Sequence, residues 1–166
     1  PAERAKDMPH KPSYLLGAAA GSDHRCGAPS HNHPNYASAN FASVAPNLYR
    51  MAGVKPSEVD VLQSYENFTG GVLMSIVEHG FCQPEEANDF LVKDNLLAPG
   101  GKLPLNTSGG NLAECYMHGL ELQIEAIRQI RGTATSQVKD VDVSMVIAGP
   151  MVTPVSNCIF GSEATL

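Results

Sequence analysis

The stretch that most limits how this chain can fold is Gly100–Gly119, GGKLPLNTSGGNLAECYMHG. It holds too much glycine and too many small polar residues to be helix or strand throughout. The pairs Gly100-Gly101 and Gly109-Gly110 are turn signals, and each lets the backbone approach a neighbour closely. Apolar residues then recur at helical spacing from Leu120 to Arg131, and Gly132 closes that helix. A glycine-rich loop feeding a helix either presents groups to a ligand or turns a corner. Spacing alone leaves both open.

Around this centre, elements alternate. Residues 1–12 read as a solvated connector with a short helix over Ala2–Lys6, and residues 13–166 as one domain. SYLLGAAA, Ser13–Ala20, is a short apolar run bounded by proline and glycine, which predicts a buried strand. Gly21–Pro34 is a polar loop. Tyr36–Met51 has helical spacing, and Pro46 within it predicts a kink or two short pieces. Val54–Glu58 predicts a turn, Val59–Leu62 a strand, Gly71–His79 an apolar helix and Pro84–Leu91 another with an acidic first turn. Val141–Ile147 and Ser156–Phe160 read as strands, the first apolar enough to be covered on both faces. The class expected is α/β, with no internal repeat.

Composition narrows the function classes. The net charge of −6 and the scattered Lys and Arg argue against nucleic acid and anionic membrane surfaces as main partners. No run approaches the ~18 apolar residues of a membrane span. Cys26, Cys82, Cys115 and Cys158 are widely spaced, which points to reduced thiols in the cytoplasm rather than a disulfide framework. The charged, proline-broken N-terminus is unlike a signal peptide.

Several residue groups invite chemistry without demanding it. His24, His31 and His33 suggest a metal site, but HxH in a polar loop lacks a third ligand on a regular element, so none is assigned. Lys102 suggests a Schiff base, which needs a desolvated amine; between glycine and leucine in a loop it reads as solvated. Asn106, Thr107 and Ser108 fit a ligand-facing loop and ordinary turn chemistry equally well.

Asn106, Gly109-Gly110, five residues and then Tyr116, followed by the helix, resemble the thiolase superfamily. Its C-terminal half carries a proline-asparagine-glycine-glycine loop and then a glycine-histidine-proline catalytic segment. The resemblance is nearest to the lipid-transfer-protein branch, related to sterol carrier protein X. It implies the C-terminal half of a thiolase fold: a mixed β-sheet packed with helices and an aspartate-containing strand just before a catalytic loop. That loop matches Tyr65–Phe68 (YENF), where thiolases carry a four-residue motif led by asparagine or histidine and ending in phenylalanine.

The departures are informative. Tyr116 stands where the thiolase histidine would, and the run Val146-Ile147-Ala148-Gly149-Pro150 lacks the family's Cys-x-Gly cysteine. Cys158, some ten residues on, reads as a small buried hydrophobe. Thiolytic Claisen chemistry is therefore not expected to run in the usual way. The tyrosine exchange resembles the steroid side-chain-cleaving aldolases of this branch.

That likeness implies retro-aldol cleavage of a steroid β-hydroxyacyl-CoA in bacterial sterol catabolism, releasing propionyl-CoA and a 17-keto steroid. Tyr65 and Tyr116 are the implied catalytic pair, with Asn67, Asn106, Gly109, Gly110 and His118 binding substrate. Glu66 is expected to hydrogen-bond the glycine loop. No metal, lysine adduct or cofactor is implied, CoA being part of the substrate. Expected partners are an N-terminal half of the same protein, a homodimer mate and an OB-fold protein that accompanies a hydratase. The resemblance begins near Ser13, and the chain opens at Pro1 without methionine, so a portion of a longer protein is expected. Two other readings compete: a catalytically silent acyl-CoA or lipid-binding scaffold, and a divergent acyl-CoA thiolase. A silent scaffold gives no reason for hydroxyls at both motif positions.

Overall fold

Strands form where apolar runs end at turn residues, and helices where apolar positions recur every three or four residues. The computed structural model describes residues 2–24, 26, 38–149 and 153–166. In chain order the elements are α1 (Ala2–Ala5), β1 (Tyr14–Gly21), α2 (Phe41–Ala52), β2 (Val61–Ser64), α3 (Thr69–Glu78), α4 (Ala87–Phe90), α5 (Lys93–Leu96), α6 (Gly110–Ala113), α7 (Leu120–Arg131), β3 (Val143–Ala148) and β4 (Val155–Gly161). The strands make one four-stranded sheet in the order β1-β4-β3-β2. β2 runs parallel to β3, and the other pairings are antiparallel. This is the mixed α/β architecture expected.

Each face of the sheet has its own cover. On one face Phe41, Val44 and Leu48 of α2 and Ile76 of α3 pack with Leu62, Met145, Ile147 and Ile159. On the other, Leu122 and Ala126 of α7 meet Val146, while Ile130 packs with Val61 and Val141. Side chains as fully buried as Leu48, Ile76 and Met145 stabilise the fold by about 1.5–3 kcal/mol each. β3 is therefore covered on both sides, as its apolar sequence predicts. α2 lies close on β1 because Gly17 has no side chain: a Cβ there would stand 3.0 Å from the Leu48 carbonyl oxygen.

Local differences from the sequence reading have physical causes. α2 is one unbroken helix rather than two pieces, although Pro46 lies inside it. Its buried face, Phe41, Val44, Ala45 and Leu48, outweighs the one backbone hydrogen bond that proline removes. Residues 36 and 37 of the expected helix lie outside the described residues. β2 begins at Val61 rather than Val59, because the Val59 amide still closes the 3-10 turn Pro56–Glu58 on the Pro56 carbonyl, 3.2 Å away. The helix expected over Pro84–Leu91 is a 3-10 turn, Pro84–Glu86, followed by the single turn of α4.

The parallel pair β2/β3 places the loop that matters. Asp60 Oδ2 accepts from the amides of Asp142 (2.9 Å) and Val143 (2.8 Å), fixing the start of both strands. At their carboxyl ends the Tyr65 amide donates to the Ile147 carbonyl at 2.9 Å. In open α/β sheets that end, where the chain leaves the sheet, is where ligand-binding groups gather.

Candidate active site

Tyr65, the first residue after β2, and Tyr116, in the turn between α6 and α7, meet at the carboxyl end of the parallel pair. The Tyr65 hydroxyl donates to the Tyr116 hydroxyl at 3.0 Å. Their rings meet edge to face, with centroids 6.3 Å apart. His118 stacks its ring edgewise on Tyr116 at 5.1 Å, completing an aromatic corner. Tyr65 is half-buried, whereas Tyr116 keeps 55% of its surface exposed.

The environment keeps Tyr65 protonated. Burial, the hydrogen bond to Tyr116, and the nearby Glu121 and Glu66 carboxylates push its hydroxyl up to about 12. Each disfavours phenolate, because a negative charge there would be both desolvated and crowded by like charges. Tyr65 is thus suited to donate a proton, and its hydroxyl already donates its hydrogen bond to the Tyr116 oxygen.

Three carboxylates shape the segment bearing Tyr116. Glu66 Oε2 accepts from Asn111 Nδ2 at 2.9 Å, and Oε1 from the Leu112 amide at 3.3 Å. Glu121, 1% exposed, turns back from the first turn of α7 to accept from the Met117 and Gly119 amides at 3.1 Å each. There a carboxylate gains from the helix N-terminal dipole as well as from its hydrogen bonds. Glu114 pairs with Arg128 of α7. His118 (φ 53°) and Gly119 (φ 96°) take left-handed conformations in this tight turn, which glycine adopts without strain.

The remaining expected residues occupy distinct places. Asn106 bonds with both Oδ1 and Nδ2 to the backbone of Ser64, next to Tyr65. With Glu66 it also borders an apolar cavity of about 470 Å³ lined by Val72, Leu73, Ile76 and Leu105. Gly109 (φ 92°) precedes α6 as its N-terminal cap, where a Cβ would come within 2.5 Å of the Ala113 side chain. The close neighbour of Gly110 is Glu66 itself, whose Oε1 lies 2.4 Å from where a Cβ would be. Asn67 is exposed, and its Oδ1 accepts from the Phe68 amide at 3.1 Å. The structure thus brings Tyr65, Tyr116 and His118 together, while Asn106, Gly109 and Gly110 build the loop beside them.

Other sequence candidates lie elsewhere. Lys102 is exposed beside Pro56 and Val59, toward the amino end of β2. His24 is exposed, and His31 and His33 lie outside the described residues. Among the described residues, no three His, Cys, Asp or Glu converge as a metal-binding group. Burial pushes the Cys158 thiol up to about 11, which keeps it an unreactive thiol. No helix of the described residues is long and apolar enough to cross a membrane.

The sequence reading missed a buried polar row on α7. Glu121, Glu125 and Gln129 are each 1% exposed. Thr107 donates to Glu125 Oε1 at 2.6 Å and accepts from Gln63 and Gln129 at 3.0 and 2.9 Å, which roots the glycine loop on this helix. Their spacing of four residues, beside the apolar Leu122, Ala126 and Ile130, was the available signal.

Comparison with known proteins agrees with the fold. The sequence profile described as thiolase C-terminal domain-like matches residues 21–161. The chain is 40% identical over 167 residues to a steroid side-chain-cleaving aldolase of Thermomonospora curvata, covering 97% of this chain and 41% of the relative. It is 36% identical over 162 residues to a 17-hydroxy-3-oxo-4-pregnene-20-carboxyl-CoA lyase of Mycobacterium tuberculosis, covering 96% and 42%. Among solved structures, an Ltp2-ChsH2(DUF35) aldolase superposes with a TM-score of 0.89 at 38% identity, over 99% of this chain and 43% of that one. A monomeric SCP2-thiolase-like protein of Mycobacterium smegmatis, at 17% identity and a TM-score of 0.62, shares the fold over 91% of this chain and 29% of its own. The chain thus spans about two fifths of the length of the aldolase and lyase relatives. It belongs to the thiolase C-terminal domain-like family.

Proposed function

We propose that this chain supplies the acid–base half of an aldolase that cleaves a steroid β-hydroxyacyl-CoA, releasing propionyl-CoA and a 17-keto steroid. The observation that carries the reading is the 3.0 Å hydrogen bond between the Tyr65 and Tyr116 hydroxyls, where a thiolase would present its histidine. The names of the relatives, an aldolase and a CoA lyase of steroid side chains, support the substrate class.

The chemistry needs two proton movements. Tyr116, acting in its deprotonated form beside the Tyr65 hydroxyl, takes the proton of the β-hydroxyl. The Cα–Cβ bond then breaks, its electron pair entering the thioester enolate, and the β-carbon leaves as a ketone. Tyr65 delivers its proton to the enolate α-carbon, giving the acyl-CoA product. The hydrogen bond between the two oxygens then returns a proton from Tyr116 to Tyr65, restoring the starting state. A pair of hydroxyls already in contact suits this relay, because neither group must travel. The thioester itself stabilises the carbanion, so neither metal nor lysine adduct nor further cofactor is required.

The other expected residues act as the substrate-facing loop. His118 braces the Tyr116 ring, Asn67 faces the thioester end, and Asn106, Gly109 and Gly110 shape the wall. The partners proposed are an N-terminal half of the same protein, a homodimer mate and an OB-fold protein, the last suggested by the two-component name of the solved aldolase. The compartment proposed is the cytoplasm.

The test uses the complete protein with its partner. It is incubated with a tertiary β-hydroxyacyl-CoA steroid thioester, and propionyl-CoA release is followed with and without chelator and borohydride. Cleavage insensitive to both and lost in Tyr65→Phe or Tyr116→Phe is the expected result. Binding without cleavage favours a silent scaffold. Inhibition by chelator or borohydride replaces the tyrosine mechanism with a metal or Schiff-base one.

A further inference from the structure

We propose that Glu66 is a positioning residue for the tyrosine pair: its carboxylate clamps the loop carrying Tyr65 to the α6 turn, and so sets where Tyr116 meets it. The kinetic part of this proposal rests on the aldolase reading; the geometric part does not.

The two tyrosines lie 51 residues apart in sequence, so something must hold their loops in register. The segment from Leu112 to Met117 is tied to α7 by Glu114 with Arg128 and by Glu121 with the Met117 and Gly119 amides. Neither tie reaches the loop that holds Tyr65. Among the described residues, the hydrogen bonds joining residues 110–119 to residues 65–68 are those of Glu66 and the Tyr65–Tyr116 contact itself.

Glu66 makes its bonds across 45 and 46 residues of sequence, to Asn111 Nδ2 and the Leu112 amide. It follows Tyr65 directly, so its anchor point is one Cα–Cα step, about 3.8 Å, from the catalytic loop residue. At the far end, Leu112 precedes Tyr116 by four residues. The carboxyl group also lies flat over Gly110, in space that a Cβ would fill to within 2.4 Å of Oε1. Gly110 therefore makes the clamp geometrically admissible.

Two features mark this as more than a surface hydrogen bond. Both oxygens are used, on two donors that a single side chain must satisfy at once, so a shorter side chain reaches neither properly. The distance being controlled is between two oxygens that exchange a proton, and misplacement by about 1 Å at such a site costs on the order of 100-fold in rate.

The experiment compares wild type, Glu66→Asp and Glu66→Gln in the complete protein with its partner, on the steroid β-hydroxyacyl-CoA thioester. The aspartate variant keeps the charge and shortens the reach; the glutamine variant keeps the length and gives up one acceptor and the charge. Expected is a fall in kcat of about 10- to 100-fold in both variants, with KM within about twofold of wild type. Wild-type kcat in Glu66→Asp would assign the effect to charge and overturn the proposal. So would a loss of thermal stability in which kcat per folded molecule is unchanged.

A second readout does not use turnover. With 3-fluorotyrosine placed at position 116, the ¹⁹F resonance reports the Tyr65 hydrogen bond. In Glu66→Asp it is expected to shift toward the value seen in Tyr65→Phe. An unchanged resonance overturns the clamp, including where Glu66→Gln fails to fold. Should wild type not cleave the thioester, the aldolase reading fails, and the ¹⁹F result alone decides whether Glu66 sets the tyrosine geometry.

Discussion

Asn106 treats Ser64 as a strand would: its Oδ1 accepts from the Ser64 amide at 2.7 Å, and its Nδ2 donates to the Ser64 carbonyl at 2.8 Å. β2 is an edge strand, and an edge leaves a row of unpaired backbone groups. One side-chain amide satisfies both groups of its last residue, just before the chain turns out to Tyr65. Asn106 itself adopts φ 47°, a conformation asparagine tolerates better than most residues.

Replacing Asn106 by alanine should therefore act on stability before it acts on substrate. It orphans two backbone groups of the fully buried Ser64, and their loss is expected to cost about 2–3 kcal/mol. Urea unfolding of Asn106→Ala should show a lower midpoint with an unchanged slope. A midpoint equal to wild type would mean that water satisfies Ser64 equally well.

Removing either tyrosine hydroxyl should leave the fold intact and the chemistry crippled. A positioned proton-transfer group contributes about 10²–10⁴-fold, and that is the fall in kcat expected for Tyr65→Phe and for Tyr116→Phe. In the proposed relay the two hydroxyls act as one unit, so the double variant should be little worse than either single one. Additive losses in single-turnover assays would show that the tyrosines act independently.

Much of the architecture was readable along the chain, and its reasons are local. α7 announced itself by apolar spacing and a closing glycine, and β3 by a run that is apolar except at Ser144. Features set by distant partners were harder to read. Nothing near Pro46 says that β1 will present Gly17 and hold α2 together. Tyr65 and Tyr116 could be paired only through the family resemblance, since 51 residues separate them. The support offered by Glu121 was hidden for another reason. A glutamate in the first turn of a helix reads as a solvated dipole partner, whereas here it is buried and faces the backbone of its own entry turn.

His79 gives the fold an acid limit. Its ring is buried against Phe41 and Tyr49, and Nδ1 bonds to the Ser75 carbonyl at 2.8 Å. Desolvation pulls it down to about 4, against the weaker opposing effect of the Ser75 carbonyl. A depressed folded value means that the unfolded chain binds more protons between about 6.5 and 4. Stability is then fully present above pH 6.5 and lost as pH falls through 4. The loss is on the order of 3 kcal/mol. Urea midpoints measured from pH 7 to 4 should fall less steeply in His79→Leu than in wild type. Equal slopes would mean that other groups govern the acid transition.

Gly110→Ala tests the space between two loops. The new Cβ would stand 2.4 Å from Glu66 Oε1, so the carboxylate must swing away and release Asn111 and Leu112. The φ of 60° at this position adds a strain of about 1–2 kcal/mol for any L side chain. These two costs separate in a double-mutant cycle with Glu66→Ala. In the wild-type background Gly110→Ala should lower stability by both; with Glu66 already truncated only the backbone strain should remain. The expected coupling is about 1–2 kcal/mol, read from urea midpoints of the four proteins. Strict additivity would mean that Glu66 moves aside at no cost, and that the fit between these two residues does not hold the loops together.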